Sequence, residues 1–190
     1  MNFKKDILLI DTEFSGLDPK RHDLLQLAAV LLDRKTLKEK SYFCSYVRPQ
    51  HWAQRDRASM AVNRIAFSQV RAAPTPAEVI RSFDRQFGHN IILAFYVGFN
   101  DKRFLLKAYR EAGVNWRFDY HSFDLWGFFY AFLAGRNGLK SRKDFAGFGL
   151  ESLMKKYKIK TGSGRLHDAL VDCRAEAEVL RRVMADLSAQ

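Results

Sequence analysis

The sequence predicts a single α/β domain, and three features of the chain indicate this fold class. Short apolar runs typical of buried strands lie at residues 7–10, 24–33 and 91–97. Segments with helical periodicity alternate with these runs, and the clearest of them is the last segment of the chain. The length of 190 residues suits one compact domain over residues 1–190, with no internal repeat or long linker.

The first part of the chain predicts a meander of three strands. Residues 7–10 belong to the first strand, and the run 24–33 is typical of a strand buried on both faces, although its composition also allows a helix. The segment 41–48 is rich in aromatic residues and stops at Pro49, which favours a third strand. The segment 63–70 that follows has no clear pattern.

A capping motif predicts the first helix. Thr75 is a suitable N-cap, Pro76 fits the first helical position, and Glu78 completes a capping box. We therefore expect a helix from this point to about Phe87.

The next segments predict a strand and a second helix. The apolar run 91–97 is typical of a buried strand, and residues 98–101 turn into a helix that continues through Ala112. This prediction places Asp101 at the turn between the strand and the helix.

The last third of the chain is predicted to be mainly helical. Residues 118–124 alternate weakly and predict a short strand at most, and residues 150–157 predict a short helix. The segment 125–134 is apolar all round, which favours a helix in the core and leaves a homodimer interface as the alternative. The final helix has an apolar stripe that should pack on the sheet: Leu170, Cys173, Ala177, Leu180, Met184 and Leu187.

Two carboxylates one residue apart follow the first apolar run and suggest a metal site. Side chains at positions i and i+2 of a strand project from the same face, so Asp11 and Glu13 can converge on one point. Two close negative charges favour a hard divalent cation such as Mg²⁺ or Mn²⁺, since no Cys or His cluster lies nearby. The alternative interpretation of so short a motif is a solvated strand end.

Asp172 and His167 are a second pair of candidate site residues. Asp172 adjoins the apolar stripe of the final helix, so it can lie at the edge of the buried face and point toward the strand ends. On a continuous helix His167 would lie about 140° around the axis from it. If both residues serve one site, His167 must therefore lie on a turn before the helix begins.

The chain is strongly basic, with 32 Lys and Arg against 21 Asp and Glu and a net charge of +11. A polyanionic partner would explain this charge. The excess is concentrated between residues 136 and 160, which form either a phosphate-binding surface or a solvated face. The basic residues of this run are Arg136, Lys140, Arg142, Lys143, Lys155, Lys156, Lys158 and Lys160.

Cysteine content and hydropathy suggest a cytoplasmic protein. Two cysteines, Cys44 and Cys173, provide no disulfide framework, which fits a reducing compartment. The uncharged stretch over residues 87–100 is too short and too polar to span a bilayer. Asp11 interrupts the first apolar run early, so a signal peptide is not expected. We expect no membrane partner.

Three motifs give the chain a resemblance that covers most of its length. Residues 11–17 (Asp-Thr-Glu-Phe-Ser-Gly-Leu), 99–105 (Phe-Asn-Asp-Lys-Arg-Phe-Leu) and 167–172 (His-Asp-Ala-Leu-Val-Asp) resemble, in order and spacing, the three motifs of the DnaQ-like (DEDDh) 3′-to-5′ exonucleases. Residues 71–79 resemble that family's connection between its first two motifs. His167, four residues before the last aspartate, marks the histidine branch.

The resemblance implies an RNase H-like fold with a mixed five-stranded sheet flanked by helices. It also implies two divalent ions, Mg²⁺ or Mn²⁺, with His167 as the general base and Asp11 as the ligand shared by both ions. The substrate would be single-stranded nucleic acid or a 3′ overhang, and the products nucleoside 5′-monophosphates. The four metal ligands that the resemblance implies are Asp11, Glu13, Asp101 and Asp172.

Further candidates surround these residues. Phe14 and Leu17 are candidates for contact with the terminal base, although packing explains Phe14 equally well. The second motif departs from the family pattern at Val97, where Asn is usual, and at Asn100, where an apolar residue is usual. Asp168 could swing into the site, but its place in the motif favours a solvent-facing role. The candidate substrate-binding residues are Thr12, Phe14, Leu17 and Tyr96.

A nuclease is therefore the predicted function, and a non-catalytic nucleic-acid-binding or docking module on the same fold is the alternative. The chain ends 18 residues after Asp172, which favours a stand-alone enzyme over a proofreading subunit. The sequence does not indicate whether the substrate is DNA or RNA, since discrimination between them depends on contacts with the 2′-hydroxyl.

Overall fold

The computed structural model describes residues 3–137, 148–161 and 164–189, and its centre is one mixed sheet of five strands. The strands are β1 (Asp6–Phe14), β2 (Leu24–Leu32), β3 (Glu39–Tyr46), β4 (Ile91–Phe95) and β5 (Ser122–Asp124). Their order in the sheet is β3-β2-β1-β4-β5. The meander β1 to β3 is antiparallel, whereas β1, β4 and β5 run parallel. The mixed five-stranded sheet is thus confirmed.

Helices cover both faces of this sheet. In the described part of the chain they are α1 (Arg57–Asn63), α2 (Phe67–Val70), α3 (Pro76–Gln86), α4 (Gly98–Glu111), α5 (Leu125–Asn137), α6 (Leu150–Tyr157) and α7 (Ala169–Ser188), with a 3₁₀ turn at Trp52–Gln54. The segment 63–70, which has no clear pattern in the sequence, contains the end of α1 and the whole of α2. None of the described helices combines the length and the apolar character that crossing a membrane requires.

The capping motif at the start of α3 is confirmed. The Thr75 hydroxyl accepts a hydrogen bond from the backbone N–H of Glu78 at 3.3 Å, and the Glu78 carboxylate accepts one from the N–H of Thr75 at 2.7 Å. Two otherwise unpaired groups at the helix start are thereby satisfied. The helix ends at Gln86, one residue before the predicted end.

Strand pairing in the sheet determines the secondary structure of segments for which the sequence allowed more than one prediction. The run 24–33 is a strand rather than a helix, because β2 lies between β1 and β3 and pairs with both. The predicted strand at 118–124 is shorter than expected, since only its last three residues pair with β4. Helix α4 starts at Gly98, so Asp101 lies in the first turn of the helix and not in the turn before it.

Helix α5 buries one face rather than its whole surface. Leu125, Phe129 and Leu133 are buried at helical spacing and belong to the same core as α7. The intervening residues are mostly half-buried. The helix therefore packs in the core, as the sequence favoured.

Strand β1 divides the core into two layers. Ile7 and Leu9 pack in the layer that contains α5, α6 and α7, whereas Leu8 and Ile10 pack in the layer that contains α3 and α4. This alternation follows from the period of two in a strand. The strand is therefore fixed on both sides immediately before Asp11.

Candidate active site

Asp11 and Glu13 lie at the carboxyl end of β1, beyond the point where β4 stops pairing with it. The parallel pairing of β1 and β4 reaches Leu9 opposite Ala94, and α4 begins shortly afterwards. Asp11 is half-buried and Glu13 is 9% exposed. The predicted position of both carboxylates at one strand end is confirmed.

Asp101 reaches this strand end from α4. Both the N–H and the hydroxyl of Thr12 donate hydrogen bonds to its Oδ1 atom, at 3.1 and 2.6 Å. The Asp101 residue is only 8% exposed, so these bonds fix a buried carboxylate against β1. Thr12, between the two acidic residues of the strand, thereby links α4 to the site.

His167 lies on the turn immediately before α7, as the helical geometry required. Its φ angle of 67° is in the left-handed region, which is uncommon for a residue other than glycine. The backbone N–H of His167 donates a hydrogen bond to Oδ2 of Asp172 at 3.1 Å. This bond folds the turn back over the first turn of the helix.

Glu13, His167 and Asp172 form a compact trio. Each residue offers one ligand atom, and these atoms all lie within 4.8 Å of one another. The trio therefore joins β1, the turn before α7 and the first turn of α7. Its composition, two carboxylates and one imidazole, suits a divalent cation.

Gln26 holds the start of α7 against the sheet, although sequence reasoning did not identify it. It lies opposite Glu13 in the pairing of β1 with β2, and its Oε1 atom accepts a hydrogen bond from the N–H of Ala169 at 3.2 Å. A buried polar residue in the otherwise apolar run of β2 was the available signal. Gln26 thus sets the position of the helix relative to Glu13.

Asp168 has a structural role at the start of α7, which differs from the solvent-facing role that its place in the motif favoured. It is the N-cap of α7, and its carboxylate accepts hydrogen bonds from the N–H groups of Leu170 and Val171 at 3.2 and 3.3 Å. Capping residues satisfy the unpaired N–H groups at a helix start. This role explains why Asp168 is half-buried.

Burial and mutual repulsion make the acidic residues difficult to ionise together. Burial, followed by the negative charges of Asp172 and Asp101, raises the pKa of the Glu13 carboxyl to about 8. Burial also raises the pKa of Asp101 and of Asp172 to about 6. Desolvation and the charge of Asp101 raise the pKa of Asp11 well above its ordinary value. A bound cation would remove this penalty.

A fifth carboxylate, Glu176, belongs to the same region and was missed by sequence reasoning. It lies one helical turn after Asp172 and is 1% exposed. The signal was an acidic side chain on the apolar stripe, between Cys173 and Ala177. Among the described residues, two buried side-chain oxygens have no hydrogen-bond partner, Oδ1 of Asp172 and Oε2 of Glu176. Unsatisfied carboxylate oxygens of this kind fit a site for a divalent metal.

Three of the four candidate substrate contacts are engaged within the protein. The Thr12 side chain is bonded to Asp101, and the Tyr96 hydroxyl donates a hydrogen bond to the backbone carbonyl of Phe148. The Phe14 ring stacks on Phe104, with 4.4 Å between ring centroids, so packing accounts for it. Leu17 is 60% exposed and remains open to a ligand.

The atypical second motif leaves Asp101 in place. Val97 is exposed and Asn100 is half-buried, yet Asp101 keeps its bonds to Thr12. Phe99 is 71% exposed beyond the end of β4, and the guanidinium of Arg103 lies over its ring. The departure from the motif therefore changes the surface beside the site.

The basic run is only partly described, since Lys140, Arg142 and Lys143 lie outside the described residues. Lys158 and Lys160 line a groove of about 750 Å³ beside α7. The other basic residues of this groove come from the helix itself: Arg174, Arg181 and Arg182. Sequence reasoning did not join these arginines to the run, because only the packing of α6 and α7 brings them together.

The fold and the acidic site define an RNase H-like domain with the features of a metal-dependent nuclease. The sequence profile of the RNase_T family, described as exonuclease, matches residues 8–180. The chain therefore belongs to this exonuclease family, which supports a hydrolytic nuclease that depends on divalent metal ions. A comparison with curated proteins finds no significant match.

Solved structures share the fold over nearly the whole chain. The nuclease domain of 3′hExo, a DEDDh family member bound to rAMP, has a TM-score of 0.78 and 20% identity, covering 98% of this chain and 95% of that one. E. coli Exonuclease I with a dT13 oligonucleotide has a TM-score of 0.81 and 19% identity, over 98% of this chain and 42% of that one. Cell-death related nuclease 4 has a TM-score of 0.76 and 18% identity, covering 96% of this chain and 64% of that one. The chain thus spans less than two thirds of the length of Exonuclease I and of cell-death related nuclease 4.

We expect the metal-free protein to lose thermal stability as the pH rises from about 4 to about 8. Glu13, with a pKa of about 8, and Asp101 and Asp172, with pKa values of about 6, hold protons that the unfolded chain releases near pH 4. The stabilisation is complete below the unfolded pKa and disappears as the pH rises through the folded pKa.

Melting temperatures in EDTA and in Mg²⁺ between pH 5 and pH 8 test this prediction. Mg²⁺ should restore stability mainly at the higher pH, because it replaces the protons as the neutralising charge. Asp172→Asn should make the metal-free profile flatter. A melting temperature in EDTA that does not fall over this range would contradict the prediction.

Proposed function

We propose that this protein is a 3′-to-5′ exonuclease that releases nucleoside 5′-monophosphates from single-stranded nucleic acid or a 3′ overhang. The observation that carries the proposal is the convergence of Glu13, His167 and Asp172 within 4.8 Å, beside Asp11 and Asp101. The RNase_T match supplies the chemistry of an exonuclease. Two divalent ions, Mg²⁺ or Mn²⁺, are the proposed cofactors.

The acidic residues would hold these ions: Asp11, Glu13, Asp101 and Asp172. Bound divalent ions supply the Lewis acidity that in-line hydrolysis of a phosphodiester requires. Asp11 is half-buried at the end of β1, which leaves it accessible as the ligand proposed to serve both ions. Thr12 orients Asp101 through two hydrogen bonds, so it acts as a positioning residue in this proposal.

His167 is the proposed general base. Its side chain is exposed and lies within reach of the carboxylates of Glu13 and Asp172, so it can take a proton from a water molecule at the edge of the site. Its backbone is fixed by the bond to Asp172. The imidazole therefore extends from a fixed backbone position, and its exposure lets it pass the proton to solvent.

The similar solved structures support the proposed direction of hydrolysis and the proposed product. The domain of 3′hExo that covers this chain almost completely is bound to rAMP, a nucleoside monophosphate. Exonuclease I is bound to a DNA oligonucleotide. By analogy, we propose the 3′ end of a single strand as the substrate of this chain.

The basic groove provides a path for the phosphate backbone away from the site. Gly164 and Val171 line both this groove and a smaller cavity of about 210 Å³ that contains His167 and Asp168. The two cavities are therefore adjacent. The charge of the groove favours a polyanion.

The decisive experiment compares oligonucleotides labelled at the 3′ and the 5′ end, in DNA and RNA, with Mg²⁺, Mn²⁺ or EDTA. The proposal requires nucleoside 5′-monophosphate as the first product of the 3′ label and progressive shortening of the 5′-labelled strand. Products released from the 5′ end would contradict the proposed direction. Binding without turnover in either metal would favour the non-catalytic docking module.

Binding of a single strand to a catalytically inactive variant should weaken steeply with salt, by a log-log slope of about −0.7 for each phosphate contacted. Replacing Lys158 and Lys160 with glutamine should flatten this slope, because both side chains are exposed and line the groove. Fluorescence anisotropy across a series of salt concentrations measures the effect.

A matched control removes the same charge from the opposite layer of the fold. Arg85→Gln and Arg110→Gln change exposed residues on α3 and α4, and this double variant should keep the original slope. Equal slopes for both double variants would show that the groove is a solvated face and not the path of the substrate.

A further inference from the structure

Glu176 has no place among the four ligands of the proposed metal centre, yet it lies in the same part of the fold. It follows Asp172 by one helical turn on α7 and is 1% exposed. Its Oε2 atom is buried and has no hydrogen-bond partner among the described residues. A carboxylate in this condition is costly to bury unless a cation or a donor satisfies it.

Packing alone does not account for this residue. Its neighbours on the buried face of α7 are Cys173, Ala177 and Leu180, all small or apolar. An apolar side chain would fill the same space without the cost of burying a charge. Among the described residues, no Lys, Arg or His forms an ion pair with Glu176.

The charge of Glu176 acts on the proposed ligands. Its carboxylate interacts electrostatically with Asp11, and those of Asp101 and Asp172 interact with it. Glu176 follows Asp172 by four residues on α7, so the two carboxylates lie on the same face of the helix. The compact trio of Glu13, His167 and Asp172 does not include Glu176, which is more deeply buried and acts on this acidic region through its charge.

We propose that Glu176 is a fifth carboxylate of the metal centre and increases its affinity for divalent cations. The inference rests on the proposed function, because it assumes that the four acidic residues bind metal. Glu176 adds one negative charge and an unsatisfied oxygen at a depth that solvent does not reach. Glu176 acts on the ions through its charge and is not one of the four proposed ligands, and its burial keeps it away from the substrate.

Glu176→Gln tests the proposal, because glutamine keeps the shape of the side chain and removes its charge. We expect the affinity of the EDTA-stripped protein for Mn²⁺ to fall by about 10- to 100-fold, the range typical of residues that support metal ligands. Isothermal titration calorimetry with Mn²⁺ alone measures this affinity without any substrate.

Glu178→Gln is the matched control on the same helix. Glu178 pairs with Arg181 and Arg182 on the outer side of α7, so its replacement removes the same charge away from the acidic cluster. Its Mn²⁺ affinity should equal that of the wild type. If Glu176→Gln does not fold, Glu176→Met, which has a similar size and no charge, takes its place and should show the same loss.

The outcomes separate this inference from the proposed function. Wild-type affinity for Mn²⁺ in a folded Glu176→Gln variant would overturn the inference and identify Glu176 as a neutral acid of the core. If the wild type itself does not bind Mn²⁺, both the metal centre and the role of Glu176 are overturned. An equal loss in Glu178→Gln would also overturn the inference, because the effect would then come from the charge of the helix.

Discussion

Asp11→Asn should reduce turnover by about 10³-fold or more while leaving the fold intact. Asp11 lies near the carboxyl end of β1, the central strand of the sheet. Burial, followed by the charge of Asp101, raises the pKa of its carboxyl well above its ordinary value, so a cation has most to neutralise there. An amide oxygen has nearly the same shape but carries no negative charge. Losing a metal ligand removes several kcal/mol of transition-state stabilisation, which is consistent with this fold-change.

Single-turnover rates with a 3′-labelled oligonucleotide measure the effect, and circular dichroism checks the fold. Glu151→Gln is a suitable control, because this exposed residue of α6 loses a negative charge outside the proposed site. The control should retain the wild-type rate. Full activity of Asp11→Asn would exclude the proposed role of Asp11 as a shared metal ligand.

His167→Ala should lose about 10²- to 10⁴-fold in rate, the range typical of a general base, and still bind metal and oligonucleotide. The backbone of His167 makes the bond to Asp172 through its N–H, and alanine can keep this bond. The change therefore removes the imidazole and leaves the turn. Because hydroxide can replace the missing base, the rate of the variant should rise more with pH than the wild-type rate.

Asp172→Asn provides the contrast, since the two residues are neighbours in space but have different proposed roles. Asp172 is a proposed ligand, so its variant should bind Mn²⁺ more weakly, and excess Mn²⁺ should restore part of its activity. Excess metal should not rescue His167→Ala. A His167→Ala variant with the wild-type rate near neutral pH would show that the histidine only forms part of the turn.

Local sequence patterns predicted most of the elements correctly. The capping box at Thr75 and the boundaries of α6 depend on interactions between residues close in the chain. Strand β1 could also be predicted, because an apolar run that ends in two acidic residues indicates both a buried strand and the position of its carboxyl end. The errors lay where pairing between distant segments decides the outcome, as in the short β5.

The roles of several site residues could not be predicted from sequence. Thr12 looked like a contact for the substrate, but it bonds to Asp101, 89 residues away. Tyr96 also looked like a contact, but its hydroxyl bonds to the backbone of Phe148, 52 residues away. Such bonds depend on how α4 and the residues before α6 pack against the sheet, and no local pattern encodes them.

The sequence by itself determined the class of the fold, the family and the acidic residues at the end of β1, because these follow from periodicity and from motifs at fixed spacing. Only the tertiary structure decided how closely His167 approaches Glu13 and Asp172, and that Glu176 is buried on the same helix as Asp172. The physical reason is that the site forms where three distant segments meet at one edge of the sheet. Their relative positions are set by contacts such as that of Gln26 with Ala169, 143 residues apart.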